Sequence, residues 1–228
     1  MSEARLLKFA AGFMTLVAIS AVVTQLTGCN IVGPAMYIVE GPPSADAVHN
    51  LADVPTVVFI DDRRNVVSPI SMRKAIADKV SEDLMVKKIL SATISSQDAM
   101  ALASQRERNS HIISIEEIGK AVGAKQVIYV EMVQFQDTPD GYTPRPTASC
   151  RVKVVDVDAQ KRVYPPVDAE EPSRVVQAMI REVDPSVYST RDGRLKVFDA
   201  LAKETGSAVG KLFYKHEIRQ LGGNLNPR

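Results

Sequence analysis

The sequence predicts an α/β (α+β) fold, in which a mixed central sheet is flanked by helices and the chain closes with an amphipathic helix. Three patterns lead to this prediction. Residues 56–60 (TVVFI) form a β-branched run that ends at two aspartates, as is typical of a buried strand. The run is followed by apolar residues at every fourth position, which predict a helix opened by Ser68-Pro69. Residues 147–154 alternate between apolar and polar, which indicates a strand with one buried face.

The elements between these patterns follow in order. A second strand is predicted near residues 92–96, and a short helix around residues 98–104. Ser114 and Glu117 have the spacing of a capping box, which predicts a helix that ends near Gly123. Residues 126–135 begin apolar on both faces, which predicts a central strand covered on both sides, and a proline-bearing loop is predicted at 137–146.

The C-terminal third adds two strands and the last helix. A turn at residues 158–160 leads to a strand from Arg162, and an acidic loop follows at 168–172. Residues 174–180 fit a strand or a helix, and we favour the strand. Residues 194–215 read as an amphipathic helix, in which Gly206 and Gly210 lie one turn apart and predict close packing against the sheet.

The N-terminus carries an export and lipidation signal. Leu26-Thr27-Gly28-Cys29 has the pattern of a bacterial lipobox, in which the precursor is acylated on the cysteine and cleaved just before it. Arg5 and Lys8 precede the apolar residues 9–23, a run shorter than the roughly 20 residues of a spanning helix. We therefore expect Cys29 to carry the lipid, palmitate being a typical chain. The alternative is a buried cysteine that follows an N-terminal membrane anchor.

These features divide the chain into four segments. We predict a lipoprotein signal peptide at 1–28, a flexible tether at 29–53, a single α/β domain at 54–217 and a disordered tail at 218–228. Glycine and proline pairs without any periodic pattern indicate the tether. Asn30, next to the acylated cysteine, favours the outer membrane over the inner one.

Composition limits the classes of partner. Loss of Glu3, Arg5 and Lys8 with the signal peptide brings the net charge from +1 to 0, which argues against a nucleic-acid-binding protein. With Cys29 acylated, Cys150 is the remaining thiol, so the mature chain forms no internal disulfide. Cys150 lies on the apolar side of its strand, where we expect it in the core.

The candidate chemical groups are few. Asp61-Asp62 follows the first strand and is a candidate for metal binding or general-base chemistry, but adjacent side chains diverge, and we expect a solvated turn. The three histidines, His49, His111 and His216, share no metal-ligand spacing. Gly119-Lys120 lacks the other residues of a phosphate loop, so we expect the glycine to relieve packing. The sequence predicts no catalytic residue, no metal and no cofactor.

One stretch of the chain resembles a known group of proteins. Residues 117–124 (EIGKAVGA), followed by 127–130 (VIYV) and by 154–158 (VVDVD), are similar to envelope proteins with an anticodon-binding-like α/β domain. The group includes the TolB N-terminal domain, the penicillin-binding-protein activator LpoB and the curli-secretion lipoprotein CsgG. The resemblance covers roughly residues 54–215 and implies an envelope lipoprotein that binds other proteins. Unlike CsgG, the chain has only short, charged, proline-bearing segments at 159–173 and 181–193, which argue against a pore.

Together these observations predict a lipid-anchored periplasmic module for interaction or assembly, serving secretion, cell-wall or outer-membrane machinery, and not an enzyme. Its partners would be the membrane, through the lipid, and an envelope protein. Two alternatives stay open. One is an envelope hydrolase that uses Asp61 and Asp62 with a histidine brought close by folding. The other is a homo-oligomeric export component.

Overall fold

A mixed six-stranded sheet forms the centre of the computed structural model, which describes residues 43–108, 113–139, 143–181 and 183–218. The strand order is β3 (Thr93–Ile94), β2 (Thr56–Asp61), β4 (Gln126–Gln136), β5 (Thr147–Asp156) and β6 (Lys161–Tyr164), and β7 (Arg174–Met179) also pairs with β5. β2 is parallel to both β3 and β4. β5 is antiparallel to β4, to β6 and to β7. The predicted fold class, with a mixed sheet and flanking helices, is confirmed.

Four α-helices pack on this sheet. They are α1 (Ser71–Val86), α2 (Ser96–Arg108), α3 (Ile115–Ala121) and α4 (Arg191–Gly210), and α4 is preceded and followed by the 3-10 turns Pro185–Ser189 and Lys211–Phe213. The helix predicted around residues 98–104 is longer than expected, and the strand predicted at 92–96 is shorter. The strand favoured at 174–180 is confirmed.

Helices α1 and α4 cover one side of the sheet. The apolar residues that recur at every fourth position of α1 are all buried: Met72, Ile76, Val80 and Leu84. They share one core with the inward side chains of β2, β4 and β5. Val130 of the central strand and Cys150 of β5 lie in this core with no exposed surface. This side therefore contributes most of the apolar burial that stabilises the fold.

Close packing at the C-terminal glycines occurs between helices, which corrects the expected packing against the sheet. A Cβ added at Gly206 would lie 2.6 Å from the Ile76 carbonyl oxygen and 2.7 Å from the Lys79 Cβ, both on α1. Gly210 faces Asp83 of the same helix, but at 3.4 Å. The helical spacing correctly predicts that these glycines lie at a packed helix surface. Which element packs there depends on the position of α1 in the fold.

Helices α2 and α3 cover the other side of the sheet over β2 and β4. The predicted capping box is present: Ser114 accepts the Glu117 N–H, and the Glu117 carboxylate accepts the Ser114 N–H. A Cβ at Gly119 would lie 2.6 Å from a Val157 methyl and 2.7 Å from a Val127 methyl, so this glycine does relieve packing. Gly123 ends the helix with φ +78°, a backbone conformation that favours glycine.

Residues Asp46–His216 form one compact unit. It begins before residue 54, because the Val48 and His49 N–H groups donate to the Leu212 carbonyl at 2.8 and 3.2 Å. A separate unit includes residues 43–45 and 217–218, in which the Ile218 N–H donates to the Pro43 carbonyl. The short strands β1 (Ser44–Ala45) and β8 (His216–Glu217) pair with each other.

Several predicted segments lie outside the described residues: the signal peptide at 1–28, most of the tether, residues 140–142 of the predicted loop and the tail from 219 onward. Within the described ranges, no helix has both the length and the apolar character needed to cross a membrane.

Candidate functional site

A cleft of about 360 Å³ opens on the side of the sheet where α2 and α3 do not cover β5 and β7. It is lined by Tyr129, Glu131, Arg151, Lys153, Glu171, Pro172, Ser173 and Val175. We call the surface formed by Tyr129, Glu131, Arg151, Lys153 and Val175 the open face. Since side chains alternate along a strand, the residues between them on β4 and β5 point into the core on the opposite side. The open face thus combines three neighbouring strands.

Asp61 lies next to Glu131 in the pairing of β2 with β4, and it is 6% exposed. The Tyr129 hydroxyl donates to its Oδ2 at 2.5 Å, and the Arg63 Nε lies 3.0 Å from the same oxygen. The pairing of β2 with β4 places Phe59 beside Tyr129 and Asp61 beside Glu131, so the hydrogen bond crosses the two strands diagonally. A buried carboxylate needs such partners to offset its lost hydration.

Tyr129 is held as a neutral donor. Burial raises the pKa of its hydroxyl well above the ordinary value, and the hydrogen bond and negative charge of Asp61 raise it further. The Lys153 Nζ lies 4.6 Å from the centre of the Tyr129 ring, within range of a cation–π contact. Beside this pair, the Arg151 Nη1 lies 3.9 Å from Glu131 Oε2, with both side chains nearly half exposed. Charged groups of both signs therefore converge on the open face.

Asp62 points the other way and stabilises a turn. Its Oδ1 accepts the Val66 N–H at 2.8 Å and its Oδ2 accepts the Val67 N–H at 3.0 Å. The Arg73 Nη2 of α1 lies 2.9 Å from Asp62 Oδ2 and also donates to Asn65 Oδ1 at 3.0 Å. These contacts order residues 62–67 between β2 and α1.

The expectation of a solvated turn at Asp61-Asp62 is wrong, because the two residues are only 6% and 5% exposed. The expected divergence of the adjacent side chains is correct. What the sequence did not reveal is that each carboxylate meets its own partners in the folded chain. For Asp61 that partner is Tyr129, 68 residues away, and for Asp62 it is the arginine at 73 on the next helix.

The histidines show no arrangement around these carboxylates among the described residues. His49 stacks on Tyr164, with ring centres 5.0 Å apart, and burial lowers its pKa. His216 Nδ1 lies 3.1 Å from the Tyr214 carbonyl oxygen. His111 lies outside the described residues. Within the described part of the chain, no three His, Cys, Asp or Glu side chains are grouped closely enough to hold a metal ion.

Cys150 is fully buried, as predicted, and burial raises the pKa of its thiol to about 12. The lipidation residue Cys29 and the residues before it, Leu26, Thr27 and Gly28, lie outside the described residues. Their assignment therefore rests on the sequence pattern.

A second cleft, of about 500 Å³, lies where β2 and β4 begin. Lys125 and Asp158 pair across part of it at 2.8 Å, and His49 lines another part. Its polar groups are largely exposed, unlike the buried Asp61–Tyr129 pair. We therefore take the open face as the candidate site.

No motif in the sequence marks Tyr129, Glu131, Arg151 or Lys153 as site residues. For two of them the sequence did indicate the exposed face of a strand, since Arg151 and Lys153 occupy polar positions in the alternating pattern of β5. That they meet Tyr129 and Glu131 depends on the antiparallel pairing of β4 and β5, which places Tyr129 opposite Lys153 and Glu131 opposite Arg151.

No protein-family model matches the chain, and no curated protein matches it at a significant level. Among solved structures, the protein CT253 from Chlamydia trachomatis is similar with 19% identity over 68% of this chain and 97% of its own, at a TM-score of 0.38. The PelC dodecamer from Paraburkholderia phytofirmans is similar with 10% identity and a TM-score of 0.39, and the likeness covers 74% of this chain and 92% of the PelC chain.

The lipoprotein GNA1162 from Neisseria meningitidis has 8% identity, covering 64% of this chain and 98% of its own, at a TM-score of 0.36. These likenesses are distant and carry no inference about function. The resemblance to TolB, LpoB and CsgG is not tested by them and stays a prediction.

Proposed function

We propose that this protein is a lipid-anchored interaction module of a bacterial envelope, facing the periplasm from the outer membrane. The observation that carries the proposal is the lipobox Leu26-Thr27-Gly28-Cys29 behind a short apolar run. Two or three acyl chains on Cys29, each contributing about 0.8 kcal/mol per buried methylene, would hold the protein on the membrane. Asn30 is the residue that favours the outer membrane.

The open face supports a role in binding. Lysine, arginine and glutamate side chains line a cleft together with the aromatic ring of Tyr129 and the apolar Val175. This mixture of both charges with apolar surface suits a protein partner better than a polyanion, which would require an excess of basic groups. The proposed mechanism is positional: the lipid holds the domain on the membrane, and the open face binds an envelope protein.

A catalytic role for Asp61 and Asp62 is less well supported than binding. A hydrolase that used them would need a carboxylate free to accept a proton from water or to hold a metal. Asp61 is already engaged by Tyr129 and Arg63, and Asp62 by two backbone N–H groups and Arg73. We therefore propose binding and not catalysis.

Metabolic labelling with radioactive palmitate tests the anchor. The full-length chain should incorporate the label, and Cys29→Ser should abolish it and leave an uncleaved precursor. Cys150→Ala is the matched control, because it removes the other cysteine and should keep the label. An unlabelled parent chain, or a label that depends on Cys150, would contradict lipidation at Cys29.

Site-specific photocrosslinking in cells tests the open face. A photoreactive amino acid at Arg151 or Lys153 should capture the same envelope protein in separate experiments. The control position is Lys74, an exposed residue of α1 on the opposite side of the sheet. Capture that is equally strong from Lys74, or absent from both open-face positions, would argue against this surface.

A further inference from the structure

The two edges of the central sheet are not alike. At one edge β3 is two residues long, and a short edge strand offers little backbone for pairing with another chain. At the other edge β7 is six residues long, regular and free of proline and lysine. Among the described strands β7 pairs only with β5, so its outer edge has no strand partner. Soluble proteins often protect such an edge with proline, lysine or a very short strand, and β7 has none of these.

The direction of the free backbone groups of β7 follows from one hydrogen bond. The Ile180 N–H donates to the Pro146 carbonyl at 3.0 Å, on the side of β5. Since backbone groups alternate between the two edges of an antiparallel strand, residues 174, 176 and 178 also point their N–H and C=O groups at β5. Val175, Gln177 and Met179 therefore present theirs at the free edge.

The side chains of the same three residues are exposed, as is that of Arg174 at the start of the strand. Val175 is 49% exposed and Met179 is 42% exposed, and Gln177 lies between them. The pattern is symmetric about Gln177. An antiparallel second copy of β7, centred on that residue, would place Val175 opposite the second copy's Met179 at both ends of the pair.

Charge complements this register. Glu171 precedes β7, Arg181 follows it, and both side chains are exposed. In an antiparallel pair the flanking Glu171 of one strand lies near the flanking Arg181 of the other. A two-fold interface must be complementary to itself, and the apolar positions of β7 together with these two flanking residues meet this requirement.

We infer that β7 is a dimerisation edge, which binds the β7 of a second copy of this chain in antiparallel register about Gln177. Val175, Gln177 and Met179 each then form a hydrogen-bonded pair with the second copy, and the two sheets become one continuous sheet. The inference does not depend on lipidation or on a partner at the open face.

Disulfide trapping tests the register with the purified full-length chain. Residues in a hydrogen-bonded antiparallel pair have Cα atoms about 5.5 Å apart, within the range that a disulfide spans. Under mild oxidation, Gln177→Cys should therefore form a reducible dimer. Val175→Cys and Met179→Cys should each stay monomeric on a denaturing gel, whereas the double variant with both cysteines should form the dimer. The parent chain, with its own two cysteines, is the blank.

Sedimentation supplies an independent measurement. Val175→Lys combined with Met179→Lys should halve the protein mass of the parent, because each lysine would then lie opposite a lysine of the second copy, and like charges directly opposite each other are destabilising. The matched control is Ile70→Lys with Val86→Lys, which changes two apolar residues at the ends of α1 that are even more exposed, at 68% and 69%, and should keep the dimer mass. A monomeric parent, an uncrosslinked Gln177→Cys, or equal crosslinking by all the single cysteine variants would overturn the inference.

Discussion

Tyr129 and Asp61 lie on neighbouring parallel strands, and the tyrosine hydroxyl donates to the aspartate carboxylate across 2.5 Å. The bond joins residues 68 positions apart and connects the buried Asp61 with Tyr129, which lines the cleft. The bond holds the Tyr129 side chain in place beside the cleft, because its acceptor is a buried carboxylate that Arg63 also contacts.

Removing the phenol hydroxyl should destabilise the domain. Tyr129→Phe leaves the buried Asp61 with Arg63 as its remaining partner, and the loss of one hydrogen bond to a buried charge costs about 1–3 kcal/mol. The measurement is the free energy of unfolding from denaturant titration. Tyr164→Phe is the control, since Tyr164 is buried but its hydroxyl has no hydrogen-bond partner in the described part of the chain. Equal losses for the two variants would show that the Asp61 bond contributes nothing specific.

Asp62→Ala should be more damaging. It removes the acceptor of two backbone N–H groups and leaves Arg73 without its partner carboxylate. Breaking a buried ion pair from one side typically costs about 3–5 kcal/mol. Asp78→Ala, which breaks the exposed pair with Lys74, should change the unfolding free energy by about 0.5 kcal/mol or less. If Asp62→Ala lowered the free energy of unfolding no more than Asp78→Ala does, Asp62 would belong to a solvated turn and the prediction would be wrong.

The two glycines of α4 should respond differently to alanine. At Gly206 the new methyl group would meet the α1 backbone at 2.6 Å, so the helices must separate, at a typical cost of about 1–3 kcal/mol. At Gly210 the nearest α1 atom is 3.4 Å away, and the better helix propensity of alanine, worth about 1 kcal/mol, should offset the tighter contact. Thermal melting of both variants checks the difference, and an equal shift would show that α1 and α4 are not in close contact at Gly206.

Cys150 should be inert in the folded protein. The thiolate is the reactive form, and burial raises the pKa of this thiol to about 12 from an ordinary value of 9.0. In a Cys29→Ser background at pH 8, a thiol reagent should label the native chain slowly and the denatured chain at once. Because the unfolded state loses its proton first, the contribution of Cys150 to stability is complete below pH 9 and declines as the pH rises above it. Rapid labelling without denaturant would mean that β5 is not part of a closed core.

Much of the architecture was readable from the sequence because it depends on local periodicity. The four-residue spacing in α1, the capping box at Ser114 and the alternation in β5 each reflect which side of an element is buried. The lipobox at Cys29 likewise depends on order along the chain, and it carries the proposed location of the protein by itself.

The candidate site was decided by the tertiary structure. Nothing local in the sequence indicates that Tyr129 meets Asp61, that Lys153 covers the tyrosine ring, or that Gly206 faces α1 and not the sheet. Strand order determines these contacts, and it is the outcome of packing the whole core. Periodicity shows which face of an element is buried, but a hydrogen bond between distant residues exists only once the strands that carry them are neighbours.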